Sequence, residues 1–332
     1  MLDFGRQLCS DPRFSTRQEW LVTNGLGGYA SGTVAGVLSR SYHGLLVAAE
    51  QPPVGRILLL TKLDETATYA GLAYPLVANC WGDGQVEPEG YRYLERFHLE
   101  GTVPVWTFAC ADALLEKRVW MQQGANATYI RYDLLRGSGP LELSFKAIVN
   151  HRDHHGNTRA DDLEMHIERV PHGLQVTAYD AAIPLYLLSD QAELKFGHEW
   201  YEGYFLSVEA YRGLDALDDN LHAGLFQATL QPGESVTLVA STEANPRLDG
   251  FVAYAEQQAY ERRLLESASP ILAPMPPAVE QLVVAADQFI VCRGLNSEAI
   301  GVRDGRSVIA GYHWFGDWGR DTMISLPGLT LV

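Results

Sequence analysis

The chain is short of the features that would tie it to a metal, a membrane or a nucleic acid. Its 332 residues include four cysteines, Cys9, Cys80, Cys110 and Cys292. They lie far apart, with no Cys-x-x-Cys pair and no histidine cluster at zinc spacing. Free thiols are therefore expected, and neither a disulfide framework nor a metal site. Basic residues are scarce: 25 Lys and Arg stand against 41 Asp and Glu, for a net charge of −16. No basic stripe offers itself to a phosphate backbone, so nucleic acid is not an expected partner. No apolar run approaches the ~20 residues of a membrane-spanning helix, so no membrane partner is expected either. The opening Met1-Leu-Asp-Phe-Gly-Arg6 lacks the basic and apolar parts of a signal peptide, which points to a cytoplasmic location.

Hydrophobic residues make up 47% of the chain and charged residues 20%, the balance of a soluble folded protein rather than a disordered one. The length suits two folding units better than one. Most of the first ~270 residues alternate as strands do. In Leu141-Glu-Leu-Ser-Phe-Lys-Ala-Ile-Val149, the residues Leu141, Leu143, Phe145, Ala147 and Val149 share one face. Leu163, Met165 and Ile167 alternate with Glu164, His166 and Glu168 in the same way. Thr128–Leu134 and Leu174–Ala178 read as two more strands. Leu225–Leu230 and Ser235–Ser241 flank Gln231-Pro-Gly-Glu234 and read as a hairpin. Many strands with few helices between them predict a large antiparallel β-sandwich, so the fold class is mainly β.

The character changes near residue 249. Asp249 is placed to cap a helix through Phe251, Tyr254, Ala255, Ala259, Arg262 and Leu265. Pro270-Ile-Leu-Ala-Pro-Met-Pro-Pro277 then breaks the chain. Val279, Leu282, Val283, Ala286, Phe289, Ile290 and Arg293 predict a second helix with a buried apolar face. A polar loop containing Asp304 follows. Asp321 to Val332 reads as the start of a third helix.

Three segments could carry chemistry. Gly25, Gly27 and Ala30 fit the G-x-G-x-x-A dinucleotide fingerprint, with Glu50 at a ribose-binding distance. The context argues against it: the following Gly32, Thr33, Val34, Gly36 and Val37 are poor helix formers, and no βαβ alternation follows. A glycine-rich turn into a strand pair, Ser31–Leu38 and Gly44–Ala49, is the better reading. An NAD-dependent oxidoreductase built on Gly25 to Glu50 stays as an alternative.

The second segment is Arg40, Tyr42 and His43, together with Asn150-His-Arg-Asp-His-His155. Both loops are dense in donors and acceptors, and Arg152 and Asp153 sit at the end of a strong strand. They read either as sugar-binding groups or as polar, solvated turns. His151 and His155 are four apart but not on a helix, so no metal is expected. The third segment is Gly311-Tyr-His-Trp-Phe-Gly-Asp-Trp-Gly-Arg-Asp-Thr-Met323. Aromatic faces such as Trp314 and Trp318 cover the C–H faces of a pyranose, and Asp317, Arg320 and Asp321 can fix its hydroxyls. The competing reading is a buried ion pair beneath a tryptophan cluster.

With these residues quoted, the chain resembles the bacterial and archaeal type of glycogen debranching enzyme, the amylo-α-1,6-glucosidase family. The resemblance rests on two long, specific regions, Glu19–Thr33 with Arg40–Ala48 and Ala310–Thr330, and on the short Asn150–His155. His313 stands where the family pattern has proline, and Ser41 where it has a second arginine. The resemblance implies an N-terminal β-sandwich followed by an (α/α)6 barrel, and the change near residue 249 and the proline-rich break set the expected bounds: sandwich 1–248, helical linker 249–277, barrel start 278–332. It implies glycogen or another branched α-glucan as partner, hydrolysis of α-1,6-linked glucose, a possible glucan-transfer step, no cofactor, and a substrate-holding role for Arg320 and Asp321. Inverting hydrolysis needs two carboxyl groups roughly 6.5–9.5 Å apart. A barrel of twelve helices takes more than ~130 residues, whereas about 55 follow Pro277. The acid and base are therefore expected beyond Val332, and the chain is expected to be an inactive fragment that partners the remainder of its catalytic domain. A non-catalytic glucan-binding module is the other alternative.

Overall fold

The fold was read from a computed structural model that describes residues 2–272, 274–294 and 305–330. Two large sheets face each other, and every strand pair among the described residues is antiparallel. The nine-stranded sheet runs Asp3–Gly5, Leu94–Glu100, Val103–Cys110, Ala113–Met121, Ala127–Arg136, Ser235–Ser241, Leu185–Leu188, Gly173–Thr177, His166–Val170. The eight-stranded sheet runs Glu193–Phe205, Leu217–Leu230, Leu141–Asp153, Val54–Tyr69, Gly44–Gln51, Tyr29–Thr33, Glu19–Thr23, with Leu72–Pro75 added beside Val54–Tyr69. The protein is thus the mainly β sandwich its alternation predicts.

Leu141, Leu143, Phe145, Ala147 and Val149 all point into the core, as their two-residue period requires. Phe145 stacks between Tyr132 of the opposite sheet and Phe226 of its own, with ring centres 5.5 and 5.6 Å away. The core also buries Glu65. Its carboxylate accepts from the Tyr132 hydroxyl at 2.8 Å and pairs with Lys117, which supplies the partners a buried charge needs.

Local pattern misplaces several elements. Leu217–Leu230 and Ser235–Ser241 do not pair: the first belongs to the eight-stranded sheet and the second to the nine-stranded one. The Gln231–Glu234 turn reverses the chain as its residues demand. However, the Gly233 amide bonds the Leu134 carbonyl and the Leu134 amide the Glu234 carbonyl, so the turn is tied to a third strand and the chain crosses between sheets. The strand expected at Leu163 starts at His166. Of Ser31–Leu38, only the part within Tyr29–Thr33 is strand.

The long helix, Gly250–Leu272, is capped by Asp249, whose carboxylate accepts from the Phe251 and Val252 amides at 3.0 Å. It covers the outer face of the nine-stranded sheet through Ala253 and Tyr254, the latter packed on Trp120. The second helix, Pro277–Asp287, is shorter than its apolar period suggests. Ile290–Arg293 is a strand paired with Gly305–Val308, and the Cys292 amide donates to the Gly25 carbonyl at 2.8 Å. The face also differs. Val284 is buried, Leu282 is 67% exposed, and Gln281 and Gln288 make the contacts to the sandwich by donating to the Gly101 and Leu21 carbonyls. The third helix, Gly319–Thr330, carries Asp321 in its first turn, where a negative charge favours the helix dipole. The Asp304 loop lies outside the described residues.

All four cysteines are free. Burial pushes the Cys9 thiol up to about 11 and the Cys110 thiol up to about 12, so both are inert packing groups. No helix among the described residues is long and apolar enough to cross a membrane.

Candidate functional site

The glycine segment has a specific task that is not nucleotide binding. It turns Glu19–Thr23 into Tyr29–Thr33, two antiparallel neighbours, and no helix follows. The βαβ unit of a dinucleotide site is therefore replaced by a β-turn, which removes the Gly25–Glu50 oxidoreductase alternative. Gly27 sits at φ +94°, and a Cβ there would lie 2.5 Å from the Pro53 carbonyl oxygen, so only glycine fits. The turn's carbonyls are put to use: Gly25 accepts from Cys292, and Gly27 accepts from Arg56 Nε at 2.9 Å.

Arg56 went unnoticed in the sequence, where it is one basic residue at the head of an apolar strand. It is 2% exposed. Its Nη1 donates to the His313 and Phe315 carbonyls at 3.1 and 3.0 Å, and its guanidinium lies over the Tyr312 and Tyr29 rings at 4.9 and 5.6 Å. Tyr312 joins Tyr29, Val47, Leu58 and Leu21 in a small apolar cluster on the outer face of the eight-stranded sheet. The sandwich thereby holds the 311–323 segment against itself.

His313 enters the same seat. Its Nε2 is 2.5 Å from the Ser31 hydroxyl, and its ring packs among Tyr29, Tyr42 and His43. Burial, then the neighbouring His43, brings its pKa down to about 3, so it is neutral near pH 7. His43 is buried: Nδ1 accepts from the Ser39 amide, and Nε2 is 3.3 Å from the Glu19 carboxylate. Arg40 also binds Glu19, at 2.6 Å. Burial alone would raise the Glu19 carboxyl, but hydrogen bonds and charge from His43 and Arg40 outweigh it and bring it down to about 2.

The second predicted loop lies next to this seat. The Arg152 guanidinium is spent on the Ser41 carbonyl at 2.8 Å and the buried Asp218 carboxylate at 3.0 Å. Asp153 is exposed and accepts from the His155 amide. The Tyr42 hydroxyl meets His155 Nδ1 at 3.0 Å. Asp153, His154 and His155 hold their ligand-type atoms within 4.8 Å of one another, a grouping that spacing on a helix would not reveal.

In the third segment, Asp317 is buried and fully engaged, by Arg293 and by the Ser307 hydroxyl at 2.9 Å. Trp314 and Trp318 are 43% and 50% exposed, with Phe315 between them. Arg320 is exposed, and its Nε lies 3.7 Å from the Asp321 carboxylate. Trp318, Arg320 and Asp321 thus form one accessible aromatic and charged group, Arg40, Tyr42 and His43 form the seat behind it, and Arg152 and Asp153 flank that seat.

Comparison with known proteins identifies the family. Residues 18–237 match the family described as Glycogen debranching enzyme N terminal, and residues 284–332 match Amylo-alpha-1,6-glucosidase. No curated protein matches the chain in sequence. Among solved structures, a bacterial glucoamylase complexed with acarbose is similar at TM-score 0.32 and 10% identity, over 82% of this chain. The chain spans 35% of that structure's length. The first match covers most of the chain and defines the class: a protein with a debranching-type N-terminal domain. Within that class, the chain belongs to the glycogen debranching enzyme family.

Proposed function

We propose that this chain recognises branched α-glucan and forms the sandwich and barrel entrance of an enzyme that hydrolyses α-1,6-linked glucose at the branch points of glycogen or limit dextrin. The observation that carries the reading is the accessible group of Trp318, Arg320 and Asp321, held on the sandwich by Arg56 and His313. An aromatic face buries sugar C–H groups, while an Arg beside a carboxylate at a helix start offers directional donors and acceptors to hydroxyls.

Asp317 is already committed to Arg293 and Ser307, and Asp321 lies beside Arg320. In this reading both hold substrate or structure, and the inverting acid and base are supplied by barrel loops that follow Asp321. The chain is cytoplasmic, needs no cofactor, and works with the remainder of the catalytic domain. A glucan-transfer step is compatible with the same site. The non-catalytic binding module is the second reading, favoured by the full engagement of Asp317.

Affinity electrophoresis tests the proposal. Glycogen cast in a native gel should retard the chain, and a soluble β-glucan such as hydroxyethylcellulose should not. Equal mobility in both gels would sink the glucan reading. Release of glucose from limit dextrin by the purified chain would contradict the placement of acid and base.

A further inference from the structure

Trp314 and Trp318 are similarly exposed, yet their ring faces differ. The Arg212 guanidinium carbon lies 3.4 Å from the centre of the Trp314 ring, which is van der Waals contact. Nothing of a sugar's thickness fits between them. Arg212 is also not free to swing. Its Nη1 donates to Glu209 at 2.7 Å, and Glu209, 2% exposed, accepts from the Ser41 amide at 3.2 Å. The Val208 amide bonds the Ser39 carbonyl at 2.9 Å, so helix Ser207–Tyr211 and the 39–43 loop are locked together around that carboxylate. Tyr42 of the same loop stacks on Trp314 at 6.0 Å and 23°. Trp318 has looser company: the edge of Phe315 at 6.0 Å and Arg320 at 5.9 Å.

We infer that Glu209 and Arg212 are positioning residues of the sandwich that clamp Trp314 and so set the 314–321 segment, and that Trp318 is the tryptophan whose face receives a glucose ring. The second half rests on the glucan reading above. A planar guanidinium on indole gains from cation–π attraction and stacking together. A sugar would have to displace that contact and disturb a buried ion pair to reach Trp314, whereas Trp318 asks neither.

The test is ¹⁹F NMR of the 332-residue chain carrying 5-fluorotryptophan at its seven tryptophans. Resonances of Trp314 and Trp318 are assigned with Trp314→Phe and Trp318→Phe. Panose, a glucose trisaccharide with one α-1,6 link, should move the Trp318 resonance and leave that of Trp314 in place. Without sugar, Arg212→Met should move the Trp314 resonance. Arg212→Lys should restore it in part, because lysine keeps the charge for Glu209 but not the flat stack. Arg212→Met should also weaken panose binding by roughly twofold to fivefold, the equivalent of losing a partly exposed cation–π contact. The clamp is overturned if Arg212→Met leaves the Trp314 resonance unmoved. The sugar assignment is overturned if panose moves Trp314 as far as Trp318. If panose moves neither, the glucan reading and the Trp318 role fall together, and Arg212→Met still decides the clamp.

Discussion

The Arg56 guanidinium lies 4.9 Å from the centre of the Tyr312 ring, and its Nη1 holds the carbonyls of His313 and Phe315. No carboxylate pairs with Arg56 among the described residues, so aromatic faces and carbonyl oxygens stabilise this buried cation. Arg56→Met keeps the apolar stem and removes the latch. It should cost about 2–4 kcal/mol, the scale of charged hydrogen bonds lost from a buried site. Amide hydrogen exchange should speed up over residues 311–318 more than over the sandwich core. A uniform change along the chain would contradict the latch.

Gly27→Val places a branched side chain at φ +94° and against the Pro53 carbonyl. Destabilisation of more than ~2 kcal/mol is expected from strain and clash together. An unchanged urea midpoint would show that the turn does not need glycine. Nicotinamide fluorescence should not respond to either protein, since the turn leads into a strand rather than a helix.

Acid should loosen the seat. His313 and His154 are held at about 3 and about 4, against 6.5 for a free histidine, mainly by burial. Below pH 6.5 the unfolded chain therefore binds protons that the folded chain refuses, and stability falls. Glu19, held at about 2 against an ordinary 4.5, adds a loss of the same sign below pH 4.5. The expected result is a urea midpoint that drops steadily from pH 6.5 to pH 4. His313→Gln, which can still bond Ser31, should flatten the drop. A midpoint independent of pH in that window would refute the assignment.

Two aspartates four residues apart should separate by experiment. Asp317→Asn weakens a covered carboxylate's pairing with the half-exposed Arg293 and its bond from Ser307, and should lower Tm. Asp321→Asn touches a partly exposed carboxylate beside Arg320 and should leave Tm nearly unchanged while weakening glucan binding. The reverse pattern would exchange their roles.

Much of this was legible in the sequence, and the misses have physical causes. Two-residue alternation found the core face of Leu141 to Val149 because burial alone sets that pattern. It could not show that Leu230 and Ser235 belong to different sheets, since the Gln231–Glu234 turn fixes a reversal and not a partner. The apolar period of the second helix overran at Phe289 and Ile290, where backbone pairing with Gly305–Val308 outweighs helical propensity. The aromatic and acidic segment announced itself by composition. Arg56 and Arg212 did not: each is a lone arginine in sequence, and only the fold brings it onto Tyr312 or Trp314.

The central claim is that the 311–323 segment, seated on the sandwich, is an α-glucan site. Isothermal titration of the chain with panose tests it most directly. The account predicts saturable one-site heat that Asp321→Ala abolishes without unfolding the protein. Heat that survives in Asp321→Ala, or no heat from the unmodified chain, would contradict it.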